Sequence, residues 1–414
     1  MKQLPVTLIC GFAGTGKSTL LQHLLGSRPE LQVAVIVNDS ADHHSDSQTS
    51  VQNLPGSPNS TSVQLSGGCI CCSLREDLLE QIVQMAMEQR FDYLLIEASG
   101  SADPQSIVGI FDATDDEGNM LSEIAPLDTV VTVVDAERFL DDFQSLDELH
   151  HRGLGDVNDD DRDVAQVLTD QVESASVIVI NRIDCLPEES RGFLRSLLQQ
   201  LNPQATLIES EFGRVDPAEV MHTGRYTSVS AAPADEPVGG DGHTGADQEL
   251  CTFSYRARRP FHPQRFYEFW MNDPLTEGIL RSRGFFWLAT RCAIAGYWSQ
   301  SGQVLSAEPA GPWWAESSRD EWPLEDEEMI AEIESVWDSV WGDRRQELKI
   351  LVHATSANAV QNALNACLLT EDELTGGPDS WLDLEDPFEN WDDDQQDDEH
   401  EHHDHDCSRD HDHG

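Results

Sequence analysis

Lysine is almost missing from this sequence. Only Lys2, Lys17 and Lys349 occur in 414 residues, and the other 22 basic residues are arginine. Basic charge is scarce altogether: 25 Lys+Arg face 77 Asp+Glu, for a formal net charge of −52. This excludes a broad basic face that neutralises phosphates, so no nucleic-acid partner is expected. An anionic membrane surface would repel such a chain. Long apolar runs are also lacking. No stretch reaches the roughly 18 residues of a membrane span, so no transmembrane helix is expected. The start, MKQLPVTLICGFAG, passes from a short apolar stretch straight into a glycine loop, which is not a signal-peptide layout. The nine cysteines are an odd number without a secretory leader. They argue against a disulfide framework and for a reducing, cytoplasmic setting.

What is present suits a globular protein of two or three domains, with 39% hydrophobic residues. Val6–Cys10, Val33–Val37, Tyr93–Ile96, Val130–Val134 and Val177–Ile180 read as short buried strands. Amphipathic stretches such as Ser18–Leu25 and Leu74–Met87 lie between them, which predicts an α/β domain with a mostly parallel sheet. A stretch rich in Ala, Pro, Gly and Asp then reads as a linker. Beyond it, strands at Cys251–Tyr255, Gly284–Thr290, Ala293–Trp298 and Glu347–Val352 mix with helices at Pro263–Trp270, Glu325–Trp341 and Ala357–Cys367, predicting a smaller α+β domain. The expected boundaries are 1–226, 227–248 for the linker, 249–391, and 392–414 for a disordered His-rich acidic tail.

Gly11-Phe-Ala-Gly14-Thr15-Gly16-Lys17-Ser18 matches GxxxxGK[ST] between a strand and a helix. The glycines let backbone N–H groups turn toward phosphate oxygens, Lys17 reaches the β- and γ-phosphates, and the Ser18 hydroxyl ligates Mg²⁺. After the strand ending at Ile180, Asn181-Arg-Ile-Asp184 resembles a guanine-recognition turn. A carboxylate there accepts both donors of guanine's Watson–Crick edge, whereas adenine would leave it unpaired. Arg182 stands where the usual signature has lysine.

Glu97 ends another strand and runs into Gly100. It is a candidate Mg²⁺ partner, and the Gly100 N–H a candidate γ-phosphate sensor. Asp39, after the Val33–Val37 strand, competes with Glu97 for that role. Gly67-Gly68-Cys69-Ile70-Cys71-Cys72 places three thiols within four residues. They can converge on one soft ion, Zn²⁺ or Cu(I), with Asp42, His43 or His44 as a candidate fourth ligand.

The combination of GFAGTGKST, GGCICCSLREDL and LLIEASGSADP in that order resembles the CobW-type metallochaperone P-loop GTPases. ILRSRGFFWLATR and ALNACLLTEDEL resemble that family's C-terminal domain. The resemblance implies a P-loop G domain, a ferredoxin-like C-terminal domain, Mg-GTP hydrolysis to GDP, and delivery of Zn²⁺ or Co²⁺ to a metal-requiring client protein. It assigns Lys17, Ser18 and Thr19 to nucleotide and Mg²⁺, Cys69, Cys71 and Cys72 to the metal, and Glu97 and Gly100 to a switch. The family's first switch usually begins Asn-Glu-Phe-Gly; this chain has Asn38-Asp39-Ser40-Ala41, and the polar loop Ala41–Gly56 reads as a modified switch.

The tail sets His400, His402, His403, His405, His411 and His413 among acids, a composition that gathers Zn²⁺, Ni²⁺ or Co²⁺. The leading expectation is a GTP-driven metal chaperone. A non-enzymatic zinc or nickel buffer acting through the tail, and a P-loop small-molecule kinase, are the competing readings. No general base is evident, and nothing in the sequence sets the oligomeric state.

Overall fold

Each predicted parallel strand is buried on both faces, which is why it reads as a continuous β-branched run rather than an alternating one. The computed structural model describes residues 2–39, 48–53, 61–66, 68–113, 120–154, 162–226, 249–324 and 326–391. Its first domain is built on strands β1 (Val6–Cys10), β2 (Val33–Asp39), β3 (Gln48–Asn53), β4 (Thr61–Ser66), β5 (Tyr93–Glu97), β6 (Leu127–Asp135), β7 (Val177–Asn181) and β8 (Thr206–Glu209). They form one sheet in the order β3-β4-β2-β5-β1-β6-β7-β8. Seven strands are parallel, and β3 pairs antiparallel with β4 at the edge.

Side chains alternate across this sheet. Leu8 and Cys10 of β1 pack with Leu78 and Ile82 of the helix Arg75–Met87 and Phe111 of the helix Pro104–Asp112. Ile9 packs on the other face with Leu20, Leu21 and Leu24 of the helix Lys17–Ser27. Strand β1 sits between β5 and β6, so the connections leave it in both directions. Its carboxyl end is therefore the crevice where ligands bind in such sheets. Gly11, Glu97, Asp135 and Asn181 gather there by strand register: Ile9 lies opposite Glu97, and Asp135 opposite Asn181.

The second domain has an antiparallel sheet of β9 (Leu250–Ala257), β10 (Ile279–Phe286), β11 (Ile294–Ser301), β12 (Val304–Pro312) and β13 (Gln346–His353), in the order β12-β11-β10-β13-β9. Helices Pro263–Asn272 and Ala357–Cys367 join Phe266, Trp270, Phe286, Trp298, Val360 and Leu364 into an aromatic core. Leu250, Leu280 and Leu351 instead enter the first domain's core beside the helices Val164–Glu173 and Glu188–Leu201. Glycine at 302 is required by this closeness, since a Cβ there would stand 1.9 Å from the Phe143 carbonyl oxygen.

Three expectations need correction. The polar stretch read as a modified switch loop, Ala41–Gly56, contains β3. An edge strand exposes one side to water, so Gln48–Asn53 forms without a continuous apolar run. The strand expected at Gly284–Thr290 is β10, which starts at Ile279. Its Arg281 and Ser282 are polar but buried, because Glu173 and Gln300 partner them. The helix expected over Glu325–Trp341 spans only Glu327–Ser335. The Val336 carbonyl accepts from Arg258, and Asp338 accepts from the Val340 and Trp341 N–H groups, which turns the chain instead. Strand β12, polar and containing Gly and Pro, went unread. The linker 227–248 and the tail 392–414 lie outside the described residues.

Candidate nucleotide and metal site

The turn after β1 is shaped by backbone that a side chain would block. Gly16 lies at φ 103°, and a Cβ there would stand 2.4 Å from the Asn181 Nδ2. Gly11 and Gly14 also have positive φ. Lys17 opens the following helix and is buried at 9% exposure. Its ammonium donates to the carbonyls of Gly11 (2.7 Å) and Phe12 (3.1 Å). Burial holds the Lys17 pKa below the usual lysine value, partly offset by the nearby Glu97 carboxylate and Cys10. An anion arriving at the loop would relieve that desolvated charge, and the helix N-terminus favours it too. The Cys10 thiol beneath the loop is pushed up to about 12 by burial and is inert.

Ser18 and Thr19 are exposed at the helix start, and Thr15 is buried, closing the turn on the Phe12 carbonyl. The Ser18 hydroxyl donates to Glu97 Oε1 at 2.6 Å. A hydroxyl and a buried carboxylate beside the phosphate loop are the hard oxygen donors that Mg²⁺ takes, so the residues fit that ion. Gly100 follows Glu97 and lies against the loop; a Cβ there would be 2.8 Å from the Ala13 nitrogen.

On the other flank, Asn181 is buried and joins two loops. Its amide donates to the Thr15 carbonyl at 2.9 Å, and its oxygen accepts from the Gly213 N–H at 2.9 Å. Arg182, at φ 59°, ion-pairs with buried Asp135 and donates to the Gly14 carbonyl at 3.1 Å. Arginine here pins the phosphate loop to the end of β6. Asp184 is exposed on the turn that follows. Phe212, also exposed, stands on the neighbouring loop.

The thiols sit on the turn between β4 and the helix Arg75–Met87. The N–H groups of Cys72 and Leu74 both donate to the Cys69 carbonyl, and fully buried Ile70 anchors the turn in the core. The three sulfurs lie within 4.8 Å of one another, with Cys72 exposed and the other two half-buried. Thiolates about 2.3 Å from a tetrahedral Zn²⁺ stand about 3.8 Å apart, so the trio is near a ligating arrangement. Cys69 and Cys71 stand close enough to pair as a disulfide on oxidation, their Cα atoms 5.3 Å apart. The turn brings these sulfurs together, and the reduced trio is the form able to ligate. Asp39 closes β2 opposite Ser66. Asp42, His43, His44 and the six tail histidines lie outside the described residues.

The sequence did not single out the residues that connect these parts. Asn38, buried at the end of β2, donates to the carbonyls of Leu65 (3.3 Å) and Gly68 (2.8 Å) and accepts from the Ile70 N–H (3.3 Å). It holds the thiol turn in place. Ser99 touches Cys69, Oγ to Sγ 3.5 Å, one residue before Gly100. Gly213 completes the loop that Asn181 holds. A polar residue closing a buried apolar strand, beside the acid Asp39, was the available signal for Asn38.

Residues 5–209 match the CobW/HypB/UreG nucleotide-binding domain, and residues 250–368 match the cobalamin synthesis protein cobW C-terminal domain. The zinc-regulated GTPase metalloprotein activator 1 of Dictyostelium discoideum is 34% identical over 403 residues, spanning 94% of this chain and 84% of that protein. A zinc chaperone of Mycobacterium tuberculosis is 29% identical over 345 residues, 80% of each chain. Among solved structures, the Zn(II)-bound YjiA GTPase from E. coli is 20% identical at a TM-score of 0.41, covering 89% of this chain and 100% of that one. With both segments matched in order, this chain belongs to the CobW/HypB/UreG family and carries the CobW C-terminal domain.

Proposed function

We infer that this chain is a GTP-hydrolysing metallochaperone. Cys69, Cys71 and Cys72 take one Zn²⁺, and the nucleotide state governs its release to a metal-requiring client. The observation that carries this reading is a run of contacts. The thiol turn meets the β5 loop through Cys69 and Ser99, and that loop meets the phosphate loop at Gly100 and Ala13. A γ-phosphate that draws in the Gly100 N–H would move Ser99 and change what Cys69 can hold. Family membership and the relatives named for zinc and GTPase activity support it.

In this reading Lys17 and the loop N–H groups hold the β- and γ-phosphates, and Asp184 reads the guanine edge. Ser18, Glu97 and Asp39 are the candidate Mg²⁺ partners, and that ion neutralises charge building on the transferred phosphoryl group. Thr19 follows Ser18 at the helix start. Zn²⁺ is cargo, with Co²⁺ an alternative, and the thiolates bind it only when reduced and deprotonated. The tail histidines gather ions for the site. Residues 1–226 form the GTPase domain and 249–391 the C-terminal domain.

The test measures Zn²⁺ affinity of the reduced, tail-truncated protein with GDP and with a non-hydrolysable GTP analogue, beside the Cys69/Cys71/Cys72→Ser triple variant. A tight site that is lost in the variant and differs between nucleotides is expected. Equal affinity in both nucleotide states would overturn the coupling. GTP turnover that persists in Lys17→Ala would overturn the enzymatic assignment.

A further inference from the structure

The loop that follows β5, Glu97–Asp103, is held from behind as well as from the phosphate side. Three successive carbonyls on it are taken by side chains of one segment. Gln171 Nε2 donates to Gly100 O at 3.1 Å and to Ala102 O at 3.2 Å, and Arg162 donates to Ser101 O at 2.9 Å. Gln171 is 1% exposed on the last turn of the helix Val164–Glu173. Its Oε1 is buried without a hydrogen-bond partner among the described residues. A buried amide whose two N–H donors each meet a carbonyl of the loop, and whose acceptor is unmatched, follows that loop when it moves.

Two positions on, the same helix ends in Glu173, which leans toward the other domain. Its carboxylate accepts from Arg281 Nε at 3.0 Å and Nη2 at 3.3 Å, and from Arg283 Nη1 at 2.8 Å, both arginines lying on β10. Glu173 and Arg281 are largely buried, at 14% and 10% side-chain exposure. Arg281 also donates to Ser299 Oγ, Gln300 O and Ser301 Oγ, so its guanidinium ties three β11 residues to the helix end. Residues i and i+2 of a helix point to different sides. Gln171 therefore faces the switch loop while Glu173 faces the C-terminal sheet.

We propose that Gln171 is a positioning residue for the γ-phosphate end of the nucleotide site and that, with Glu173, it makes this helix end the link by which nucleotide state reaches the C-terminal domain. The proposal rests on the GTPase reading above. Gln171 fixes the carbonyl of Gly100, and so the backbone of that residue on the side next to the Ser99–Gly100 peptide, whose N–H is the candidate γ-phosphate donor. Any shift of that peptide pulls on the helix end. Glu173 shares the same turn and passes the shift to Arg281, whose other partners lie on β11. The charged carboxylate-to-guanidinium bonds make this contact stiff.

The experiment uses the full-length protein with Gln171→Met, which keeps the side chain's length and removes its donor, and Glu173→Gln. Affinities for GDP and for a non-hydrolysable GTP analogue are measured by titration. Amide exchange of β10 and β11 is followed in each nucleotide state. Gln171→Met is expected to leave GDP affinity within about twofold while weakening the GTP analogue about tenfold. Both variants are expected to erase a wild-type exchange difference between GDP and GTP-analogue states in β10 and β11. Glu173→Gln should do so without altering nucleotide affinity. Equal losses for GDP and the GTP analogue in Gln171→Met would mark a merely structural residue and overturn the proposal. So would an exchange difference that survives Glu173→Gln, or none in the wild type. Should Gln171→Met fail to fold, Glu173→Gln alone decides the link. Failure of the wild-type protein to bind guanine nucleotides would instead overturn the GTPase reading itself.

Discussion

Lys17 is held in the folded protein at a cost, since its ammonium is desolvated and its hydrogen bonds among the described residues go to carbonyls of its own loop. Replacing it with methionine removes a buried charge and keeps the aliphatic packing. Lys17→Met is therefore expected to melt at or above the wild-type temperature without nucleotide. It should lose the stabilisation that Mg-GDP gives the wild type, as read by paired melting curves with and without ligand. Asn38 predicts the opposite balance. Its amide makes three hydrogen bonds around the thiol turn, and alanine would orphan the Ile70 N–H. Asn38→Ala should cost about 1–3 kcal/mol in denaturant unfolding. It should also weaken Zn²⁺ about tenfold or more, as outer partners of metal ligands generally do. An unchanged zinc titration would show that the thiol turn holds its shape without Asn38. At this scale the chemistry-bearing side chains were readable and their supporters were not. Lys17, Ser18 and the three cysteines announce themselves by type and spacing. Asn38, Ser99 and Gln171 are ordinary polar residues whose roles come from neighbours 27 to 71 positions away in sequence.

The helix Val164–Glu173 shows how an element acquires a property that none of its residues declares. Its Asp170 is mostly buried, and burial pushes its carboxyl up to about 6, with Glu173 and Asp103 adding to the rise and Arg281 and Arg162 opposing it. The folded state thus holds a proton that the unfolded state, near the ordinary value of 3.8, gives up. The favourable contribution is fully present below that ordinary value and is lost as pH rises through about 6. Asp170→Asn, always neutral, is accordingly expected to be more stable than wild type by about 2 kcal/mol at neutral pH. The difference should fade on acidification toward pH 4. Denaturant midpoints across that range would check it, and a constant difference would exclude Asp170 as its source. Elements whose burial is symmetrical, such as β1, β5 and β7, were legible because a parallel strand covered on both faces must be apolar throughout. Strands β3 and β12 were not, since edge strands tolerate polar residues. Strand β10 was displaced because its first buried residues include an arginine whose burial depends on an ion pair from another domain and on hydrogen bonds to β11.

For the whole molecule, the charge of −52 is dispersed and self-repelling. Salt screens such repulsion, so the melting temperature is expected to rise from low to molar KCl. A flat response would mean that the described ion pairs already offset the repulsion. The last 24 residues hold 11 acids, one arginine and six histidines. Deleting residues 392–414 should remove several weak zinc-binding equivalents and leave one tight, thiol-dependent equivalent, as counted by calorimetric titration before and after reduction.

The sequence by itself determined the chemistry that lies within short spans: the phosphate loop, the strand-end acid, the thiol triplet, and the order of the two domains. Local spacing suffices there, because a P-loop or a three-cysteine turn is closed by backbone contacts within a few residues. Tertiary structure decided what those parts do to one another. It set Ser99 beside Cys69, Gly100 against Ala13, and Gln171 and Glu173 on two sides of one helix end. Such contacts depend on which strands become neighbours and how two domains pack, and hydrophobic periodicity says that a face is buried without saying against what.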